Sequence, residues 1–246
     1  MVPITLFRAE PLTDSWIDHT FAQLKMDFSF GWFADPIFLT GHYPWQMRTV
    51  FFFQLPWFSW AESDLIKGSA DFVSVNHYTS TYVTYPLYKT KSIKQEGSIG
   101  WTAIYASKNG TAIGNRAESD WLYNVPWGFT KLLKYIKERY NNPEIYITEN
   151  GFSVPNEQRE NLVGALSDPE RVDYFNGYLL AMKKAIVESN VRVKGYFAWT
   201  LVDNFEWAVG YQERFGVTHV DFKTQKRTMK ASAYFLKYFF SHAIMN

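Results

Sequence analysis

A chain of 246 residues can bury a full core, and as an α/β fold it stays within the length of one domain, so a single domain over residues 1–246 is expected. Lysine and arginine number 25 against 24 aspartates and glutamates, which leaves no basic face for a nucleic acid or an anionic membrane and favours neutral partners. The lack of cysteine excludes disulfides, thiol nucleophiles and cysteine-based zinc sites, and fits a cytoplasmic setting.

The opening "MVPITLFRAEPLTDSW" has no basic segment leading into an apolar one, and no stretch reaches about 18 uninterrupted apolar residues, so a soluble protein is expected. The apolar run at Ile4 to Phe7 predicts a first strand. Asp14 can cap a following helix in which Ile17, Phe21, Leu24 and Phe28 recur at helical spacing. "ADFVSVNHY" predicts a second strand from Asp71 to about Val75, then a long polar loop. That loop ends at a helix whose apolar face is Phe129, Leu132, Leu133, Ile136 and Tyr140.

"EIYITENG", from Glu144 to Gly151, is a third strand: β-branched and aromatic residues bounded by turn formers, as in a strand buried on both faces. A long helix follows, with Asp168 at the cap, Pro169 at its first position, and Val172, Phe175, Leu179, Met182 and Ile186 along one stripe. "KGYFAWTL" supplies a fourth strand, and a last helix packs Ala233, Leu236, Phe239 and Ala243. Strands alternating with helices imply a parallel sheet with right-handed crossovers and function at the strands' C-terminal ends. A closed barrel needs eight such units, so four imply an open sheet or half a barrel.

At those ends the sequence places Asn76, His77 and Tyr78, then Glu149 and Asn150, then Trp199 and "DNFEW". Carboxylates, amides and aromatic faces together are what a glycosidase needs, for the anomeric carbon, the hydroxyls and the apolar side of the sugar ring. His77 should point away from its neighbours by strand alternation and be structural. The five histidines show no zinc spacing, and no nucleotide-binding glycine loop or serine-nucleophile motif occurs, so neither metal nor cofactor is expected. Trp16, Trp32, Trp101 and Trp121 lack support from any strand end and are expected to pack in the core or in loops.

Four segments, "YITENG", "VNHYTS", "GYFAWTLVDNFEWAVGYQERFGVTHVDF" and "GWFADPIFLTGHYP", resemble the family 1 glycoside hydrolases, retaining β-glucosidases built on a (β/α)8 barrel. The likeness runs from near Ile4 to about Phe239 and covers only the second half of that family's domain. It implies the C-terminal half of a TIM barrel, strands 5 to 8, and a small β-glycoside as ligand. It further implies that Glu149 is the catalytic nucleophile, that Tyr78 hydrogen-bonds it, and that Asn76 is the neighbouring asparagine of the sugar site. Glu206 and Trp207 match the pair holding sugar hydroxyls, Trp199 the stacking platform, and Phe215 the wall beside the exocyclic carbon.

The family's general acid/base lies in an Asn-Glu-Pro motif that this sequence lacks. Glu10, before Pro11, is a superficial echo and does not take that role. The family's early Gln and His-Trp sugar contacts are missing too. Poor hydrolysis of unactivated glycosides by this polypeptide alone follows. So does dimerisation, or pairing with a missing half, through exposed sheet edges. Two other readings stay open: a non-hydrolytic glycan-binding or scaffold protein, and an excerpt of a longer enzyme.

Overall fold

The computed structural model describes residues 4–85, 95–98, 101–105 and 109–243. In chain order, β1 (Ile4–Thr5) and β2 (Arg8–Pro11) precede α1 (Trp16–Met26), which runs on through π-helical turns on either side of α2 (Trp32–Ala34). The short helices α3 (Trp45–Phe51) and α4 (Trp60–Ile66) lead to β3 (Phe72–Asn76) and β4 (Ser80–Thr84), then β5 (Gln95–Ser98) and β6 (Trp101–Ile104). After α5 (Pro126–Arg139) come β7 (Glu144–Glu149), α6 (Leu162–Ser167), α7 (Pro169–Ser189) and β8 (Val193–Tyr196). The hairpin of β9 (Thr218–Val220) and β10 (Arg227–Met229) and the helix α8 (Ala231–Ala243) complete the order.

Strands β1, β3, β7 and β8 pair in parallel in that order, each joined to the next through helices. These are the four predicted βα units, half the circumference of a (β/α)8 barrel. Ile145 and Ile147 of β7 and Val73 and Val75 of β3 point to the helix side, where they meet Phe129, Leu132, Leu133 and Ile136 of α5 and Phe175 and Leu179 of α7, all buried. Each such side chain removed from water contributes about 1.5–3 kcal/mol. The expectation that the third strand is buried on both faces needs correction: Glu144, Tyr146 and Thr148 are only half-buried, because four strands cannot close over their concave face. Tyr146 instead covers its cross-strand partner Gly195 and packs on Phe72, ring centroids 4.8 Å apart.

A second sheet lies where a polar loop was predicted. β2 pairs in parallel with β4, which continues through β6 to β5 in antiparallel fashion. Its residues Ser80, Thr81 and Thr84 are polar yet buried, and the hydroxyl of Thr84 donates to Asp18 at 2.7 Å. The cap of α1 is Ser15, one residue beyond Asp14, and its hydroxyl accepts from the Asp18 amide. The helix turns Asp18, Ala22 and Met26 fully inward, while Phe21, Leu24 and Phe28 only flank the core. Asp168 stands at the predicted start of α7, but its carboxylate binds Arg171 and Ser232 rather than the helix amides. Trp16 is 76% exposed, against the expectation of packing, and the side chain of Trp101 lies outside the described residues.

Candidate active site

Glu149 is the last residue of β7, and Tyr78 follows β3 two residues after Asn76, so strand register alone brings them to one rim. The Tyr78 hydroxyl donates to Glu149 Oε2 at 2.6 Å. Burial, and then the bond to Glu149, raise the Tyr78 phenol far above its ordinary value, so it stays protonated and remains a donor. Asn76 is buried, and its Oδ1 accepts from the Thr148 hydroxyl at 2.7 Å.

A layer behind the rim fixes these residues. The carbonyl of Tyr78 accepts from the hydroxyls of Tyr174 (2.7 Å) and Tyr178 (2.9 Å) on α7. Asn150 donates to the His77 carbonyl and to Tyr174 Oη, and accepts from the Tyr196 hydroxyl. Asn150 is thus a buried strut and not a sugar contact. His77 is fully buried, as its predicted structural role requires. It donates from Nδ1 to the Leu6 carbonyl at 2.6 Å and stacks on Phe129, and burial lowers its pKa to about 4, so it is neutral.

The segment after β8 forms the opposite wall. Trp199 Nε1 donates to Glu206 Oε1 at 3.1 Å, and the peptide between Trp199 and Thr200 is cis. Burial raises the Glu206 carboxyl, the Trp199 bond opposes this, and Glu213 and Glu149 push it up further. Gly151 is needed here because a Cβ would fall 1.9 Å from the Trp199 carbonyl oxygen. Phe215 is buried with its ring edge-on to Tyr78, centroids 6.2 Å apart.

Asn76, Tyr78, Glu149, Trp199, Glu206, Trp207 and Phe215 all line one cavity of about 510 Å3. Sequence reasoning missed other members of the same wall. Trp121, expected only to pack, lines the cavity, stacks on Phe7 at 5.4 Å and meets Tyr78 edge-on. Its place in the segment after β3, at a strand's C-terminal end, is the signal that could have found it. Glu213, two residues before Phe215, also lines the cavity and accepts from Ser119. Four carboxylates and no lysine, arginine or histidine stand among the described lining residues, a field suited to positive charge developing on a sugar ring. Glu10 stands apart on β2, its oxygens bound by Arg8 and Lys131. Among the described residues no group of three His, Asp or Glu side chains is placed to hold a metal.

The family model described as "Glycosyl hydrolase family 1" matches residues 2–244. "Beta-glucosidase 26" of Oryza sativa subsp. japonica is 42% identical over 232 residues, which are 93% of this chain and 44% of that protein. "Beta-glucosidase 44" of Arabidopsis thaliana is 44% identical over 229 residues, again 93% of this chain and 44% of its own length. Among solved structures, β-glucosidase 2 from the fungus Trichoderma reesei in complex with Tris superposes with a TM-score of 0.90 at 40% identity, covering 98% of this chain and 52% of that one. A β-glucosidase from the fungus Humicola insolens in complex with glucose gives 0.89 at 41% identity, covering 97% and 50%. The chain therefore spans about half the length of the relatives it matches. With the Tyr78–Glu149 pair on the rim of a parallel half-barrel and a family model matched over nearly every residue, the chain belongs to glycosyl hydrolase family 1.

Proposed function

We propose that this chain carries the nucleophile and the sugar-holding wall of a retaining β-glycosidase of β-glucosidase type, acting on small β-glucosides or related glycosides. The observation that supports the reading is the 2.6 Å bond from Tyr78 to Glu149 at the edge of an indole-walled cavity. Tyr78 holds Oε2 and leaves Oε1 to attack. The Glu149 oxygen bonds to the anomeric carbon as the bond to the aglycone oxygen breaks, and that oxygen leaves with the electron pair. Water then attacks the anomeric carbon, loses a proton to a base, and frees Glu149. Glu206, Trp207 and Asn76 hold sugar hydroxyls, Trp199 stacks on the ring, and Phe215 closes the side beside the exocyclic carbon.

Protonating an ordinary leaving group needs a general acid, worth about 10² to 10⁴-fold. The family's motif for it is absent, and Glu10 is held in ion pairs. A complementary polypeptide segment, pairing with the edges of β1 and β8 that are unpaired among the described residues, is the proposed source of that acid. The test uses a substrate that needs none, a 2,4-dinitrophenyl 2-deoxy-2-fluoro-β-glucoside, followed by peptide mass mapping. Addition of one fluoroglucosyl group at Glu149, abolished in Glu149→Gln, is expected. Failure to label, with saturable glucose binding retained in Glu149→Gln, would instead establish a glycan-binding protein, a reading supported by the lack of the family's Asn-Glu-Pro motif in this sequence.

A further inference from the structure

At the strands' N-terminal end, away from the rim that carries Glu149, a second cavity of about 500 Å3 opens beside α3 and the last residue of α5, Arg139. Its polar groups do not satisfy one another. Arg48 Nη1 and Nη2 are shielded from solvent and have no hydrogen-bond partner among the described residues. The same holds for His42 Nδ1, a potential donor, and for Gln46 Oε1, an acceptor. The Arg48 guanidinium lies over the Trp57 ring, 3.8 Å from its centroid, and 5.9 Å from that of Tyr43. Those contacts hold the fork in place but supply neither an acceptor nor a countercharge. The neighbouring cation is already matched, since Arg139 binds Asp35 at 2.7 and 3.2 Å and Asp27 at 3.0 Å. Arginine keeps its charge in any such setting, so an unmatched guanidinium fork calls for a ligand that brings two oxygens.

We propose that this cavity binds a small hydroxylated aromatic carboxylate. The carboxylate takes both Arg48 nitrogens, the ring rests against the exposed indole of Trp45, and a hydroxyl donates to Gln46 Oε1. Asp35 lines the same cavity and shares the cation Arg139 with Asp27, and this excess of carboxylates over that cation disfavours a phosphate dianion, so a single negative charge fits best. The site is independent of the reading given to Glu149.

Isothermal titration of the whole chain with 4-hydroxybenzoate tests it, with 4-hydroxybenzyl alcohol as the neutral analogue and inorganic phosphate as the competing anion. One saturable site is expected, at least about tenfold weaker for the alcohol and for Arg48→Met, which keeps the stem over Trp57 and removes the fork. Trp45→Ala, at a position 70% exposed, should fold and weaken binding as well. Glu149→Gln should leave it unchanged, which separates this cavity from the other. No saturable binding would overturn the proposal. So would equal affinity in Arg48→Met or Trp45→Ala, tighter binding of phosphate, or loss of binding in Glu149→Gln.

Discussion

Tyr78 is held at both ends, its hydroxyl by Glu149 and its carbonyl by two tyrosines of α7, so its ring has little freedom to leave Glu149. Replacing it by phenylalanine removes one hydrogen bond to a charged group, worth about 1.5–3 kcal/mol. Labelling of Glu149 by the fluoroglucoside should slow by about 10- to 100-fold in Tyr78→Phe, because each 1.4 kcal/mol is about tenfold in rate. An unchanged rate would remove Tyr78 from the mechanism. Asp27 gives a second prediction at this scale. It is buried, with Oδ1 bound to Gln23 and Arg139 and Oδ2 unpartnered among the described residues. Burial pushes its carboxyl from 3.8 up to about 6, against the pull of Arg139. The folded state therefore binds this proton more tightly than the unfolded chain. Its contribution to stability is complete below the ordinary value and is lost as pH rises through about 6. In urea unfolding at pH 5 and 7.5, the native chain should lose more stability across the interval than Asp27→Asn; parallel losses would contradict the assignment.

The elements that bear the site are tied together by a buried ionic cluster. Arg171 of α7 binds Asp168 and Glu157, and Lys230, at the start of α8, binds Glu157 and, at 3.0 Å, Asp203. Asp203 also accepts from Gly216, Val220 and Arg214, so one carboxylate gathers the segment that presents Trp199, Glu206 and Phe215. Arg171 and Lys230 are fully buried, and burial is the strongest influence on the lysine, lowering its pKa. Lys230→Met leaves two buried carboxylates short of a partner, a loss of about 3–5 kcal/mol. Chemical denaturation should show a loss of that order, and a cost below 1 kcal/mol would mean that the cluster is spare. The same substitution should lower the affinity for glucose, since the wall it supports is the one proposed to hold the sugar.

On the scale of the molecule, β1 and β8 have no further strand beside them among the described residues. Beyond β8, Phe197, Leu201, Phe205 and Trp207 are 59–84% exposed. Free edges next to apolar surface favour association. Light scattering should give a mass that rises above the monomer as concentration increases, and a constant 28.8 kDa would refute this. Adding a complementary half that carries a general acid should suppress the rise and confer turnover of unactivated β-glucosides. Failure on both counts would exclude pairing as the source of the acid.

Local pattern made α5, β7, α7 and α8 legible, because helical and strand periods record which face meets the core. The family resemblance carried by motifs near the strand ends implied seven site residues, and all seven line one cavity. The second sheet was not legible: its buried positions mix Ser80, Thr81, Thr84 and Thr102 with Ala9, Val83, Ala103 and Ile104, which leaves no regular apolar period to read. The ionic cluster was hidden for another reason, since Lys230 and Glu157 lie 73 residues apart and meet only when α8 packs beside the segment after β7. Trp121 joined the site in the same way, through its stacking on Phe7. The sequence by itself therefore determined the order of βα units and the residue types gathered at their ends, which depend on neighbours a few residues away. Only the tertiary structure decided which distant charges neutralise one another and which aromatic rings wall the cavity, because those contacts depend on sheet register and helix packing.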